Sequence, residues 1–205
     1  MRLHNAGMYN GDENSLPQRE HPEGYVPFKE AEDMKKFSKQ VTIISLVLLV
    51  VMLVLFYARL IMWDVKHGYT SMSFEFSDIL LTLAIFLLTL IPHEVLHAIW
   101  FKEDVYYYHN LKQGMLFVAG TEDMPKMKFI LMSLCPNIIF GFIPFILYLI
   151  WPNLTILGFV GVMAIASGAG DYVNVYHCAT QVPSDGITYM SGMHTYWYRP
   201  NGETK

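Results

Sequence analysis

The chain has 205 residues, 53% of them hydrophobic, with a formal net charge of −4. Positive mean hydropathy and long charge-free runs exclude an ordinary soluble domain, and no basic patch suggests a nucleic-acid partner. Cys135 and Cys178 lie in or at the end of apolar segments and form neither a disulfide framework nor a four-cysteine metal site; both read as packing residues, with Cys178 a remote metal candidate.

Residues 1–40 are polar, carry Pro17, Pro22 and Pro27, and contain no apolar run of signal-peptide type. They are expected to stay uncleaved, cytoplasmic and mostly irregular until about Glu30. The first apolar run, 41–63, is long enough to span a bilayer and has Tyr57 and Trp63 near its far end, where interfacial aromatics belong. A polar connection at 66–78 leads to the second run, 79–101, whose last third reads Ile91-Pro92-His93-Glu94-Val95-Leu96-His97.

On a helix His93 and His97 sit one turn apart on one face, so both imidazoles can reach one metal ion, with Glu94 beside them. This is the H-E-x-x-H zinc pattern, in which two histidines hold the metal and the glutamate acts as general base on its bound water. A chain of this length contains the pattern by chance in roughly one case in a hundred or fewer. The competing reading, helix-end histidines bonded to carbonyls with Glu94 reaching the interface, is disfavoured because an ionisable residue at bilayer depth costs about 2.5–3.5 kcal/mol. Pro92 removes one backbone hydrogen bond just before His93 and predicts a local kink.

Between 102 and 128 the chain is polar and aromatic. Residues 104–108 and 114–118 predict two short extended segments with a turn over 109–113, either an interfacial loop or a small cytoplasmic hairpin whose edge pairs with an extended substrate. The third run, 129–151, is interrupted by Pro136-Asn137 and by Pro144, and the fourth, 154–179, contains Ser167-Gly168-Ala169-Gly170-Asp171-Tyr172-Val173-Asn174. The aromatic tail, 181–205, predicts a cytoplasmic loop or interfacial strand. The expected fold is thus an all-α membrane protein: a polar segment at 1–40, a four-helix transmembrane domain at 41–180 and the tail.

Orientation follows from the basic residues. Lys29, Lys35, Lys36 and Lys39 precede the first run, Lys102, Lys112, Lys126 and Lys128 lie between the second and third, and Arg199 and Lys205 follow the fourth. Only Lys66 lies in the first connection, so the positive-inside rule predicts four passes with both termini cytoplasmic. His93 then lies about 12 Å from the cytoplasmic edge, and Asp171, eight residues from the end of the fourth run, lies at a similar depth of roughly 12 Å. An aspartate there needs a partner, and Ala164, Ser167 and Gly168 on its face favour close helix approach, which makes Asp171 the candidate third ligand. Glu103, Glu122, Asp123 and His177 are weaker candidates. Asn174, one turn on from Asp171, fits a hydrogen-bonding support for the ligand or plain helix packing, and Asn137 fits an oxyanion donor or a partner for freed backbone groups.

His-Glu-Val-Leu-His near the end of a transmembrane helix, Pro136 in the next and Gly-Ala-Gly-Asp-Tyr-Val-Asn in the last resemble the bacterial family called putative zincin peptidases and, more distantly, the site-2 intramembrane metalloproteases. The resemblance covers about residues 79–179. It implies that His93, His97 and Asp171 bind one Zn2+ per chain, that Glu94 is catalytic, and that the fold is a membrane-embedded peptidase of a bacterial cell membrane. The site-2 pattern departs at Met163, where its asparagine falls, and at Gly170-Asp171-Tyr172, where it has Leu-Asp-Gly.

The predicted function is zinc-dependent hydrolysis of a peptide bond near the cytoplasmic face, with the lipid bilayer and a membrane-associated protein or peptide substrate as partners. The alternatives are a non-catalytic zinc-binding subunit with a regulatory or assembly role, which keeps the ligands but not the need for Glu94, and a metal-free structural membrane protein. The oligomeric state is not fixed by the sequence.

Overall fold

The computed structural model describes residues 1–30, 34–68, 76–110 and 115–200. The expected turn beyond Asn110, the orientation residues Lys112 and Lys205, and most of the connection at 66–78 lie outside the described residues. The chain forms two compact units, one from Met1–Ala31, Ile91–Cys135 and Val173–Lys205, the other from Glu32–Leu90 and Pro136–Tyr172.

Helices dominate the second unit. It draws on α1 (Met34–His67), most of α2 (Phe76–Ala98), the end of α3 (Lys126–Asn137), a π turn (Ile138–Phe142), α4 (Ile143–Ile150), α5 (Thr155–Ser167) and the start of α6 (Ala169–Gln181). Among the described residues three helical stretches are long and apolar enough to cross a membrane, namely Lys35–His67, Phe76–Ala98 and Lys126–Ile150; α5 and α6, bent by 52° at their junction, make a fourth if they count as one span. α1 and α2 leave Val54, Leu88 and Ile91 more than 60% exposed. Exposed apolar side chains of that kind are compatible with a lipid environment.

The core of this unit is Met52, Phe56, Leu60, Phe145, Tyr148, Val162 and Ile165. Tyr148 stacks on Phe56 at 4.6 Å and donates its hydroxyl hydrogen bond to the Phe56 carbonyl at 2.7 Å, which satisfies a polar tip inside an apolar cluster. Glycines set the helix spacing: a Cβ at Gly158 would enter the Tyr148 ring, and one at Gly161 would lie 2.8 Å from the Phe145 backbone nitrogen.

Two runs differ from expectation. The third stays helical through both prolines, because the π turn widens the backbone between Pro136 and Pro144, each of which lacks an N–H donor. The fourth breaks at Gly168, whose nitrogen still bonds to the Ala164 carbonyl before α6 sets off in a new direction. Asp171 therefore stands in the first turn of a separate helix rather than mid-way along a straight one.

The other unit corrects the all-α expectation. β1 (Arg2–Met8), β3 (Asp104–Asn110) and β4 (Met115–Ala119) form one sheet in that spatial order β1-β3-β4, with β1 parallel to β3 and β3 antiparallel to β4. β2 (Val26–Pro27), β7 (His194–Tyr198), β6 (Ile187–Ser191) and β5 (Met124–Pro125) form a second, antiparallel one. The two extended segments expected at 104–108 and 114–118 are present as β3 and β4, which pair antiparallel and so favour the hairpin over a plain loop. The amino-terminal segment is not irregular: Arg19 donates to Asp123 at 2.8 Å and lies over the Tyr189 ring at 4.6 Å, while Phe28 is buried in the core. That core, with Ala98, Phe101, Val105, Met124, Phe129, Met132, Cys178 and Val182, also holds the end of α2.

Candidate metal centre

α2 delivers His93, Glu94 and His97 together within its last six residues. The spacing puts the histidines on one face, and their ligand atoms, with that of Glu94, all lie within 4.8 Å of one another. Ala98 and Phe101 set in the core just beyond His97 fix the height of this turn. Glu94 and His97 are 9% and 7% exposed, so both polar groups work in largely desolvated surroundings.

The tautomer of His97 follows from its neighbours. Its Nδ1 faces the Met132 carbonyl oxygen at 2.9 Å, and since a carbonyl only accepts, Nδ1 carries the proton and donates. A neutral ring then presents the Nε2 lone pair, which lies 3.2 Å from Nε2 of His93. Two imidazole nitrogens on a tetrahedral zinc at 2.0–2.1 Å are separated by about 3.3 Å, so the pair fits that ion without rearrangement. A carbonyl that orients a ligating histidine is the usual support for such a site.

Two further residues frame the motif. Glu122 accepts hydrogen bonds from the backbone nitrogens of Lys102 and Glu103, immediately after the motif turn, and from Lys128 Nζ at 3.2 Å. Burial raises its carboxyl, but the two backbone donors and Lys128 outweigh burial and hold it below its ordinary value. Tyr107 in β3 lies within the field of Glu94: burial first, and then that negative charge, keep its phenol above its ordinary value.

The remaining sequence candidates distribute plainly. Asn137 and Asp171 meet in the helical unit, where Asn137 Nδ2 donates to Asp171 Oδ2 at 2.6 Å. Asn174 is half-buried in α6 and has no hydrogen bond to these side chains among the described residues. Glu122 serves the backbone of 102–103, and Asp123 pairs with Arg19 and accepts from Tyr198. His177 is 8% exposed and bonds to Gln181, and Cys178 is fully buried in the core, as a packing residue should be. Sequence reading missed the Met132 carbonyl, the Glu122 clamp and Tyr107. No local signal marks Met132, because its backbone and not its side chain acts.

A family model described as putative zincin peptidase matches residues 85–187, half of the chain, and spans the motif, the hairpin, Asn137 and Asp171. No curated protein and no solved structure matches.

Proposed function

Because the chain belongs to the putative zincin peptidase family, we propose that it is a membrane-embedded zinc metallopeptidase of the HExxH type that hydrolyses a peptide bond near the cytoplasmic face. The observation that carries this reading is the pair of Nε2 atoms 3.2 Å apart, one of them held in the ligating tautomer by the Met132 carbonyl, with Glu94 alongside. A structural zinc site has no use for that buried carboxyl group beside its two histidines.

A zinc ion held by His93 and His97 would supply Lewis-acid activation of water for attack on the scissile carbonyl. Glu94 takes the proton of the attacking water and returns it to the leaving amine nitrogen. Its low exposure keeps bulk water from competing for that proton. Asp171 is proposed as the third ligand on the sequence grounds of matched depth and family pattern. A helical substrate has to unwind locally, since its scissile carbonyl is otherwise engaged in the helix.

Strand pairing supports four passes with both ends on one side. Residues 2–8 pair with 104–109, so the chain between them crosses the bilayer an even number of times. Residues 124–125 pair with 187–188, so the stretch from α3 to α6 also crosses an even number of times, which favours counting α5 and α6 as one span. The lysine distribution then assigns that side to the cytoplasm.

The test is metal content of the detergent-purified protein, wild type beside His93→Ala, Asp171→Ala and Glu94→Gln. About one zinc per chain, lost in the first two variants and kept in the third with loss of cleavage, is expected. A wild-type protein that takes up no zinc when metal is offered sinks the reading. Unaltered cellular function of Glu94→Gln points instead to a non-catalytic zinc-binding subunit.

A further inference from the structure

Asn137 occupies an unusual position. It is the last residue of α3, stands between Pro136 and the π turn, and is 1% exposed. A buried carboxamide in an apolar helix is unfavourable unless its donors and acceptors are engaged. Its orientation follows from its partners: Asp171 as a carboxylate only accepts, so the atom facing it at 2.6 Å is Nδ2, and Oδ1 then faces the Tyr172 hydroxyl, which donates at 3.4 Å.

Gly168 completes the arrangement from the α5–α6 junction. A Cβ there would fall on the Asn137 carboxamide, 2.5 Å from Cγ and 2.9 Å from Nδ2. The helix break therefore does more than bend the chain. It opens a side-chain-free notch for the amide, and three residues later it sets Asp171 in the first turn of α6, where the helix dipole favours a carboxylate.

We propose that Asn137 is a positioning residue for the Asp171 carboxylate, seated against Gly168 and Tyr172, and that it tunes metal affinity through Oδ2 without being a ligand. The proposal rests on the reading of Asp171 as the third ligand. A carboxylate held through one oxygen by a short, charge-assisted hydrogen bond has a fixed plane, and that bond favours one-oxygen ligation by the other atom. In this assignment the amide acts on the ligand rather than on a developing oxyanion.

The experiment measures zinc affinity by chelator competition, and the visible spectrum of the cobalt-loaded protein, on the detergent-purified full chain. Asn137→Leu keeps the branched shape and removes the donor; Gly168→Ala displaces the amide without removing it. Both are expected to weaken zinc binding about 10- to 100-fold and to alter the cobalt bands in the same direction; the metal-free melting temperature stays close to wild type in Asn137→Leu, whereas Gly168→Ala also lowers it, because its methyl falls on the buried amide. Tyr172→Phe, losing only a long bond to Oδ1, is expected to change affinity less than about threefold. Wild-type affinity and spectrum in Asn137→Leu overturn the proposal if Asp171→Ala has lost its metal. A loss of affinity in Asn137→Leu matched by a collapse in its metal-free stability assigns Asn137 to packing and also overturns it. Undiminished zinc binding in Asp171→Ala is the separate result that removes the third-ligand reading itself.

Discussion

Replacing Glu122 by glutamine tests how the turn after the motif is held. The side chain is 11% exposed, and its carboxylate accepts from two consecutive backbone N–H groups and from Lys128, itself 22% exposed. Glutamine preserves the length and one acceptor oxygen but removes the charge. Hydrogen bonds to a charged acceptor contribute roughly 1 kcal/mol more than neutral ones, and a partly buried ion pair adds about another 0.5–1 kcal/mol, so the clamp weakens by about 2–3 kcal/mol. If local opening governs amide exchange at Lys102 and Glu103, those amides exchange roughly 30- to 150-fold faster in Glu122→Gln, read by hydrogen-exchange mass spectrometry of a peptide covering 101–105. The donors hold the folded pKa of Glu122 below its unfolded value. The stabilisation is therefore fully present above the unfolded value near pH 4.3 and is lost as pH falls through the folded one, where variant and wild type converge. Unchanged exchange at these two amides at pH 7 would refute the clamp.

Gly158→Ala forces a methyl into the Tyr148 ring and is expected to destabilise the helical unit by about 1–3 kcal/mol, seen as a lower melting temperature in detergent. Tyr148→Phe loses one buried bond to the Phe56 carbonyl and should cost about 1 kcal/mol by the same measurement. Chelation should abolish peptidase activity and added zinc restore it, whereas Glu94→Gln should keep the metal and lose at least roughly 100-fold in turnover. Asp104→Asn breaks an exposed, solvent-screened pair with Arg2 and is expected to leave stability close to wild type in a denaturation series.

What the sequence made legible was local. His93, Glu94 and His97 lie within five residues on one helix, so their spacing alone brings them together. Long apolar runs marked α1 to α3 for the same reason, and the short aromatic and apolar runs at 104–108 and 114–118 marked β3 and β4. What escaped was assembled at a distance. β1 is mostly exposed and carries no alternating pattern, and its partner is β3, about a hundred residues on. The second sheet collects four pieces from three separated stretches of chain. The break between α5 and α6 has a glycine at its centre, but the reason a glycine is needed lies in Asn137, thirty-one residues earlier.

The parallel pairing of β1 with β3 also sets a timetable. Arg2 bonds to Asp104, 102 positions along the chain, so the amino-terminal strand has no partner until α1 and α2 have been made. At roughly 5–20 residues per second of synthesis, that segment waits about 5–20 s before its edge can be satisfied. During that interval the two apolar helices α1 and α2 are made while a strand with open backbone groups waits for its partner. The β1 segment thus pairs only after both helices that follow it in the chain have been made, and its docking reports that they exist.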